Sequence, residues 1–153
     1  MRKDIGASLL NDRANVFLAP PEVAYEGFDA TRIAAYSDER QAQLLTDERI
    51  IRNRAKVRAF RGNAAAVVTL RQSDGGLDRY LWSFVDGAPI VNRFASFAEV
   101  PAQTPLAEKL SRDLKSRGFR FVGPVITYAF MQSIGMVNDH LVGCFRHPET
   151  ATG

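Results

Sequence analysis

The sequence predicts an all-α protein, and three observations support this fold class. Apolar residues recur at helical spacing, as in Leu106, Leu110 and Leu114, which are spaced by four. Such segments begin at capping residues like Asp29 and end at glycine-containing turns. The sequence shows neither an alternating strand pattern nor an internal repeat.

Capping signals divide the chain into short helices. Asp29, Ser37, Asp47 and Thr104 each precede an apolar-periodic segment and carry an oxygen that can accept a first-turn amide. The stretch 88–103 is predicted to be a loop. The predicted helices are one that starts at Pro21, then 30–36, 37–45, 47–70, 77–85, 105–117, 124 to 133 or 135, and 136–146.

Composition is that of an ordinary globular domain. Of the 153 residues, 46% are hydrophobic and 24% are charged, so a packed core is expected. The net charge of +3 and the pI of about 9.3 are compatible with nucleic-acid binding but do not require it. Two runs, 49–58 and 109–120, are basic. By themselves they are more typical of solvated helix faces, with nucleic-acid contact as the alternative.

Cys144 is the single cysteine, so no disulfide can form within this sequence. No apolar stretch approaches the roughly 20 residues needed to cross a bilayer, and no signal-peptide pattern is present at the start. We therefore expect a soluble, monomeric, cytoplasmic protein without a membrane partner.

The most informative local pattern is a helical hairpin at 105–136. Gly118 can adopt the left-handed geometry that closes the first helix. Gly123 leaves the backbone uncovered where the second helix begins. Phe119 and Phe121 are expected to anchor the turn into the core.

The start of the second hairpin helix has the features of a phosphate site. Its free amides and the positive end of its dipole can hold an anion, and Arg117 and Arg120 add charge. Together with Gly118 and Gly123 they are the candidate DNA-binding residues. The pattern resembles the helix-hairpin-helix element, which grips the DNA backbone without reading bases. A plain hairpin of a helical bundle is an equally good interpretation of these residues alone.

A longer stretch of the sequence resembles a known protein family. The unbroken run 117–144 resembles the C-terminal signature of 3-methyladenine DNA glycosylase I, and further segments resemble that family in the same order: 27–29, 50–56, 63–64 and 81–85. The resemblance covers 24–147. It leaves 1–23 as a poorly matched segment, for which disorder is one interpretation, and 148–153 as a polar tail.

The resemblance implies a helix-hairpin-helix DNA glycosylase-like bundle that acts in base excision repair. Enzymes of this family extrude an alkylated adenine from double-stranded DNA and hydrolyse its N-glycosidic bond without cutting the strand. Methylation at N3 puts positive charge on the base, which makes it a good leaving group. The enzyme then needs mainly extrusion, stacking and shape selection.

The family pattern also begins well upstream of the matched part. That N-terminal part holds the base-recognising glutamate, the pocket aromatics, the wedge and two zinc ligands, and residues 1–23 do not match it. The expected fold is therefore truncated at the N-terminus, and no catalytic residue is assigned. Two alternatives follow: a catalytically impaired DNA-binding remnant that keeps the hairpin, or a fragment that folds poorly alone.

Zinc is the one cofactor that the resemblance suggests. His140 and Cys144 match the family's two C-terminal ligands, and on the predicted helix over 136–146 they would share a face. A structural zinc site usually needs four protein ligands, and His147 is the only other histidine. Two ligands seldom give a stable site, so the residues favour no metal, with a half-site as the alternative.

The segment after the hairpin contains two further polar residues. By resemblance, Asn138 takes the position where many helix-hairpin-helix glycosylases carry a catalytic aspartate, and an amide cannot act as a base. Asp139 is expected to cap the final helix.

Overall fold

The computed structural model describes residues 21–147, and it confirms the all-α class. The expectations for residues 1–20 and for the tail 148–153 lie outside the described residues. Between these limits, no helix is both long and apolar enough to span a membrane.

The elements follow one another through short connections. In chain order they are α1 (Pro21–Ala24), a 3-10 helix (Glu26–Phe28), α2 (Ala30–Ala34), α3 (Asp38–Leu44), α4 (Arg54–Ser73), α5 (Leu77–Trp82), a 3-10 helix (Ser83–Val85), β1 (Ile90–Val91), a 3-10 helix (Phe97–Glu99), α6 (Pro105–Ser116), α7 (Pro124–Ser133) and β2 (Val137–Asn138). β1 and β2 pair in parallel, with Ile90 opposite Val137.

Three of the predicted caps are confirmed. The Asp29 carboxylate accepts the amide protons of Thr31 and Arg32 at 2.8 and 3.0 Å. Ser37 and Thr104 each accept the amide three residues further on, both at 3.2 Å. These bonds satisfy amides that have no partner inside the first helical turn.

The predicted start of the long helix at Asp47 is wrong. α4 begins at Arg54, and the Asn53 side chain caps it by accepting the Lys56 amide at 3.0 Å. Asp47 instead binds Arg49, whose guanidinium donates to the carboxylate at 2.6 Å. This side-chain bond, with the Arg49 amide, lowers the pKa of Asp47 to about 2. The charge-assisted pair competes with the cap and leaves the connection irregular.

The predicted last helix over 136–146 does not form. Gly135, with φ of +79°, ends α7, and the chain enters β2. The Ile90 amide donates to the Met136 carbonyl at 2.9 Å. Pairing with a distant segment thus takes up backbone groups that a local helix would have used. The predicted loop at 88–103 correspondingly contains β1.

The chain divides into two compact units. Of the described residues, the first holds 21–80 together with Lys115–Phe121. Its core lies where α2 packs against α4, and Tyr25 and Phe60 meet there with ring centroids 4.3 Å apart.

Of the described residues, the second unit holds Leu81–Leu114 and 122–147. Its buried side chains come from α5, the 3-10 helix that follows it, α6, α7 and the segment after α7. The fully covered ones among them include Leu110, Met131, Met136 and His147.

Candidate nucleic-acid interface

The turn between α6 and α7 has the predicted geometry at Gly118. Its φ is +92°, and its amide donates to the Lys115 carbonyl at 3.0 Å, which closes α6. Phe119 is only 6% exposed and anchors the turn as predicted. Phe121 does not, because it is 55% exposed. Its backbone is also left-handed, with φ of +59°, so its ring does not follow the direction of Phe119.

Arg117 is already engaged within the protein. Its guanidinium lies 2.9 Å from the Asp74 carboxylate and 4.4 Å from the centroid of the Tyr80 ring. The ion pair and the cation–π contact hold this side chain against its own unit. Much of its charge is therefore already balanced by a protein carboxylate.

Arg120 is the opposite case. Its side chain is exposed, and its guanidinium makes no ion pair with any described residue. Its backbone is fixed instead: the amide donates to Asn63 Oδ1 at 2.8 Å, and the carbonyl accepts from Asn63 Nδ2 at 3.1 Å. The sequence analysis names 63–64 only as part of the family resemblance and does not predict this contact of Asn63. The sequence did contain an indication of it, since the side chain of an asparagine inside a helix often forms a hydrogen bond with a backbone group.

The start of α7 offers open amides. Gly123 is the N-cap residue and has no side chain to accept first-turn protons, and Pro124 follows as the first helical residue. The amides of Val125 and Ile126 have no side-chain acceptor in the described part of the chain. Because these N–H groups stand at the positive end of the helix dipole, they can bind an anion.

The backbone just before this helix is held in place. The Val122 carbonyl accepts from Ser111 Oγ at 2.6 Å and from Thr127 Oγ1 at 3.3 Å. A Cβ atom placed on Gly123 would meet no other atom of residues 21–147 within 4 Å. Packing among these residues therefore does not require a bare backbone at Gly123.

Asp139 does not cap a helix, and that prediction is wrong because no helix follows it. Its carboxylate accepts from Tyr128 Oη at 2.6 Å, from Gln132 Nε2 at 2.6 Å and from Asn92 Nδ2 at 2.7 Å. Burial raises the pKa of Tyr128, and the bond to the carboxylate raises it further. Three neutral donors thus tie the segment after α7 to α7 itself and to the β1 region.

Asn138 has a local structural role. Its Oδ1 accepts the His140 amide at 3.0 Å, and its Nδ2 lies 3.4 Å from the Arg146 carbonyl. Both polar atoms of the side chain are therefore used inside the C-terminal turns.

His140 and Cys144 lie together, although on turns and not on the predicted helix. His140 Nδ1 is 3.7 Å from Cys144 Sγ. Tetrahedral zinc bonds of about 2.1 Å to nitrogen and 2.3 Å to sulfur would place these atoms about 3.6 Å apart, so the pair fits half a zinc site.

The other half is not found among the described residues. They contain no group of three histidine, cysteine or acidic side chains that could hold a metal. His147 is not a third ligand: it is fully buried, and its Nε2 lies 3.1 Å from the Asn92 carbonyl. The described residues therefore do not fit a complete structural zinc site.

Comparison with known proteins identifies the class of this fold. The chain matches a crystal structure of 3-methyladenine DNA glycosylase I (TAG) with a TM-score of 0.79 and 43% identity, over 83% of this chain and 70% of that one. It matches the 3-methyladenine DNA glycosylase I (TAG) of Staphylococcus aureus with the same TM-score and 29% identity, over 83% and 68% of the two chains. The fold is that of the helical DNA glycosylases.

The sequence narrows the class to one family. Residues 19–147 match the methyladenine glycosylase family, and the chain belongs to it. DNA-3-methyladenine glycosylase 1 of Escherichia coli is 41% identical over 124 residues, which are 81% of this chain and 66% of that protein. The Haemophilus influenzae DNA-3-methyladenine glycosylase is 38% identical over 121 residues, which are 79% and 65%. The chain thus spans slightly less than two thirds of these curated relatives.

The Asp139 cluster generates a stability prediction. Tyr128→Phe removes a hydroxyl that donates to a carboxylate, and such bonds contribute about 1.5 to 3 kcal/mol. We expect the free energy of unfolding, measured with urea, to fall by about this amount.

Tyr36→Phe is the matched control for this change. Its hydroxyl is buried and has no hydrogen-bond partner within 3.5 Å in the described structure, although Glu26 and Arg40 lie near it. Removing that hydroxyl should therefore lower stability by less than Tyr128→Phe does. Equal losses in the two variants would contradict a specific role for the bond to Asp139.

Proposed function

We propose that this chain acts in base excision repair as a 3-methyladenine DNA glycosylase. The family match over residues 19–147, with 41% identity to DNA-3-methyladenine glycosylase 1, carries this proposal. A similar solved protein, a variant of 3-methyladenine DNA glycosylase I (TAG), was crystallised in complex with 3-methyladenine. By extension, the substrate is double-stranded DNA that contains alkylated adenine.

The proposed reaction breaks the bond between the sugar C1′ and the adenine nitrogen, and water supplies the hydroxyl that C1′ gains. Because N3 methylation makes the base cationic, it departs as a neutral molecule and needs little help from an acid. The demand on the protein is to hold the duplex and accept the extruded base. Asn138 fits this scheme, since its amide supplies no base.

The grip on DNA is proposed to be a helix-hairpin-helix clamp. At the start of α7, Gly123 leaves amides open to a phosphate, and Gly118 closes α6. Arg120 supplies exposed charge, whereas Arg117 acts by stabilising the turn through Asp74. These groups contact phosphates and not base edges, so they position the duplex without selecting sequence.

A cytoplasmic monomer is the proposed form. The sequence contains one cysteine, which suits a reducing compartment because no intrachain disulfide is available to stabilise the fold. The duplex contacts proposed above come from one chain, so they need no second copy.

The test of function is release of 3-methyladenine from alkylated duplex DNA, with abasic sites counted separately from strand breaks. We expect free base and abasic sites without strand cleavage. A second candidate, a DNA-binding protein without activity, is favoured by the hairpin, whose open first-turn amides and exposed Arg120 serve duplex binding and supply no catalytic group. Duplex binding without base release would establish that second function, and folded protein that does neither would exclude both.

The Gly123 backbone provides a second test. Gly123→Leu should fold normally, because the φ of −64° suits any residue and a Cβ would meet no atom of the described residues within 4 Å. Its side chain should instead obstruct a phosphate at the start of α7. We expect duplex affinity to fall several-fold and equally for unrelated sequences. A loss confined to one sequence would contradict a phosphate clamp.

Zinc content tests the half-site. We expect elemental analysis of the purified chain to give well below one zinc per chain, because His140 and Cys144 are two of the four ligands that a structural site requires. Cys144→Ser should change that content little. A value near one per chain, lost in the serine variant, would show a complete site.

A further inference from the structure

Asn63 connects the middle of α4 to the tip of the hairpin. Its side-chain oxygen accepts the Arg120 amide at 2.8 Å, and its side-chain nitrogen donates to the Arg120 carbonyl at 3.1 Å. Both polar atoms of one side chain therefore satisfy both backbone groups of a residue 57 positions further along the chain. All of these atoms belong to the first compact unit.

The hairpin tip needs such support. Phe121, the next residue, has a φ of +59°, a conformation that an L-residue with a side chain adopts at an energetic cost. Phe119, the preceding residue, is buried. Arg120 thus stands between an anchored ring and a strained backbone, and the Asn63 amide fixes its peptide groups in one orientation.

The charge of the Arg120 side chain is available to a ligand. Arg120 is exposed and forms no ion pair within the described chain, while Arg117 on the same turn is paired with Asp74 at 2.9 Å. A guanidinium with five donors in a fixed fork matches a phosphodiester well. Its affinity depends on how much freedom is lost on binding, and a fixed backbone reduces that loss.

We propose that Asn63 is a positioning residue that presents Arg120 to a phosphate of the DNA backbone. Asn63 itself touches no DNA in this scheme and acts only through the Arg120 backbone. The inference rests on the proposed DNA-binding function and adds a residue remote in sequence from the hairpin. It does not depend on glycosylase activity, since an inactive protein could use the same contact.

The experiment is a double-mutant cycle read by binding. The probe is a short undamaged duplex followed by fluorescence anisotropy at several salt concentrations. The variants are Asn63→Ala, Arg120→Ala and the double variant. Gln72→Ala is the matched control, because it removes an exposed side-chain amide from the same helix. Stoichiometric titration of the duplex and urea unfolding give the folded fraction of each protein.

Losing one phosphate contact should reduce the slope of log K against log salt by about 0.9. We expect Arg120→Ala to show this reduction and a several-fold loss of affinity, and Asn63→Ala to show much of the same change. In the Arg120→Ala background, Asn63→Ala should add little, because the residue that it positions is gone. Gln72→Ala should bind as the wild type does.

Three results would overturn the proposal: Asn63→Ala that binds like the wild type, losses that multiply in the double variant, or wild-type protein that does not bind the undamaged duplex. A purely structural role would lower the folded fraction in both backgrounds and leave the affinity of that fraction unchanged. If Asn63→Ala does not fold, Asn63→Ser takes its place in the same cycle. If the double-mutant cycle gives the expected binding results but the protein does not release 3-methyladenine, the proposed enzyme activity is rejected and the role of Asn63 stands.

Discussion

The candidate site depends on the side chains that satisfy the backbone polar groups of residues 118–122. A turn of this kind cannot form its own regular ladder, and unpaired backbone groups are costly when covered. The Asn63 side chain of α4 forms hydrogen bonds with both the amide and the carbonyl of Arg120, and the Ser111 hydroxyl of α6 donates to the Val122 carbonyl. The Asn63 bond lies in the first compact unit and the Ser111 bond in the second. Each side chain therefore ties its part of the turn to a helix of its own unit.

The C-terminal segment is organised around an anion with neutral partners. Asp139 accepts from three side chains at 2.6 to 2.7 Å and has no cation at its carboxylate among the described residues. Charge-assisted bonds of this length are among the stronger ones available to a side chain. His140 and Cys144 follow Asp139 on a segment without a helix, where the Cys144 amide donates to the Leu141 carbonyl at 2.8 Å. The 3.7 Å spacing between their Nδ1 and Sγ atoms therefore belongs to a turn and not to helical periodicity.

The helix caps could be predicted from the sequence because they depend only on neighbouring residues. Asp29, Ser37 and Thr104 cap their helices because a cap needs only an oxygen and an amide within a few residues. Contacts between residues far apart in the sequence could not be predicted in this way. The helix expected over 136–146 is replaced by the pairing of β1 with β2, in which the Ile90 amide donates to the Met136 carbonyl, and the Asn63 bond spans 57 residues. The candidate residues themselves were predicted from the hairpin pattern and the family resemblance, while the division of roles among them required the structure.

Arg117 and Arg120 show why composition alone overestimates the charge that such a turn can offer to a phosphate. They are three residues apart, and both were expected to contribute charge. One is bound to Asp74 and packed over Tyr80, whereas the other is exposed with its backbone fixed. Of these two arginines, the turn therefore presents one available guanidinium. In the proposed clamp, the remaining attraction for phosphate comes from the open amides at the start of α7, which carry no net charge. Binding of this kind depends on geometry as well as on charge, so a neutral residue such as Gly123 can matter as much as an arginine.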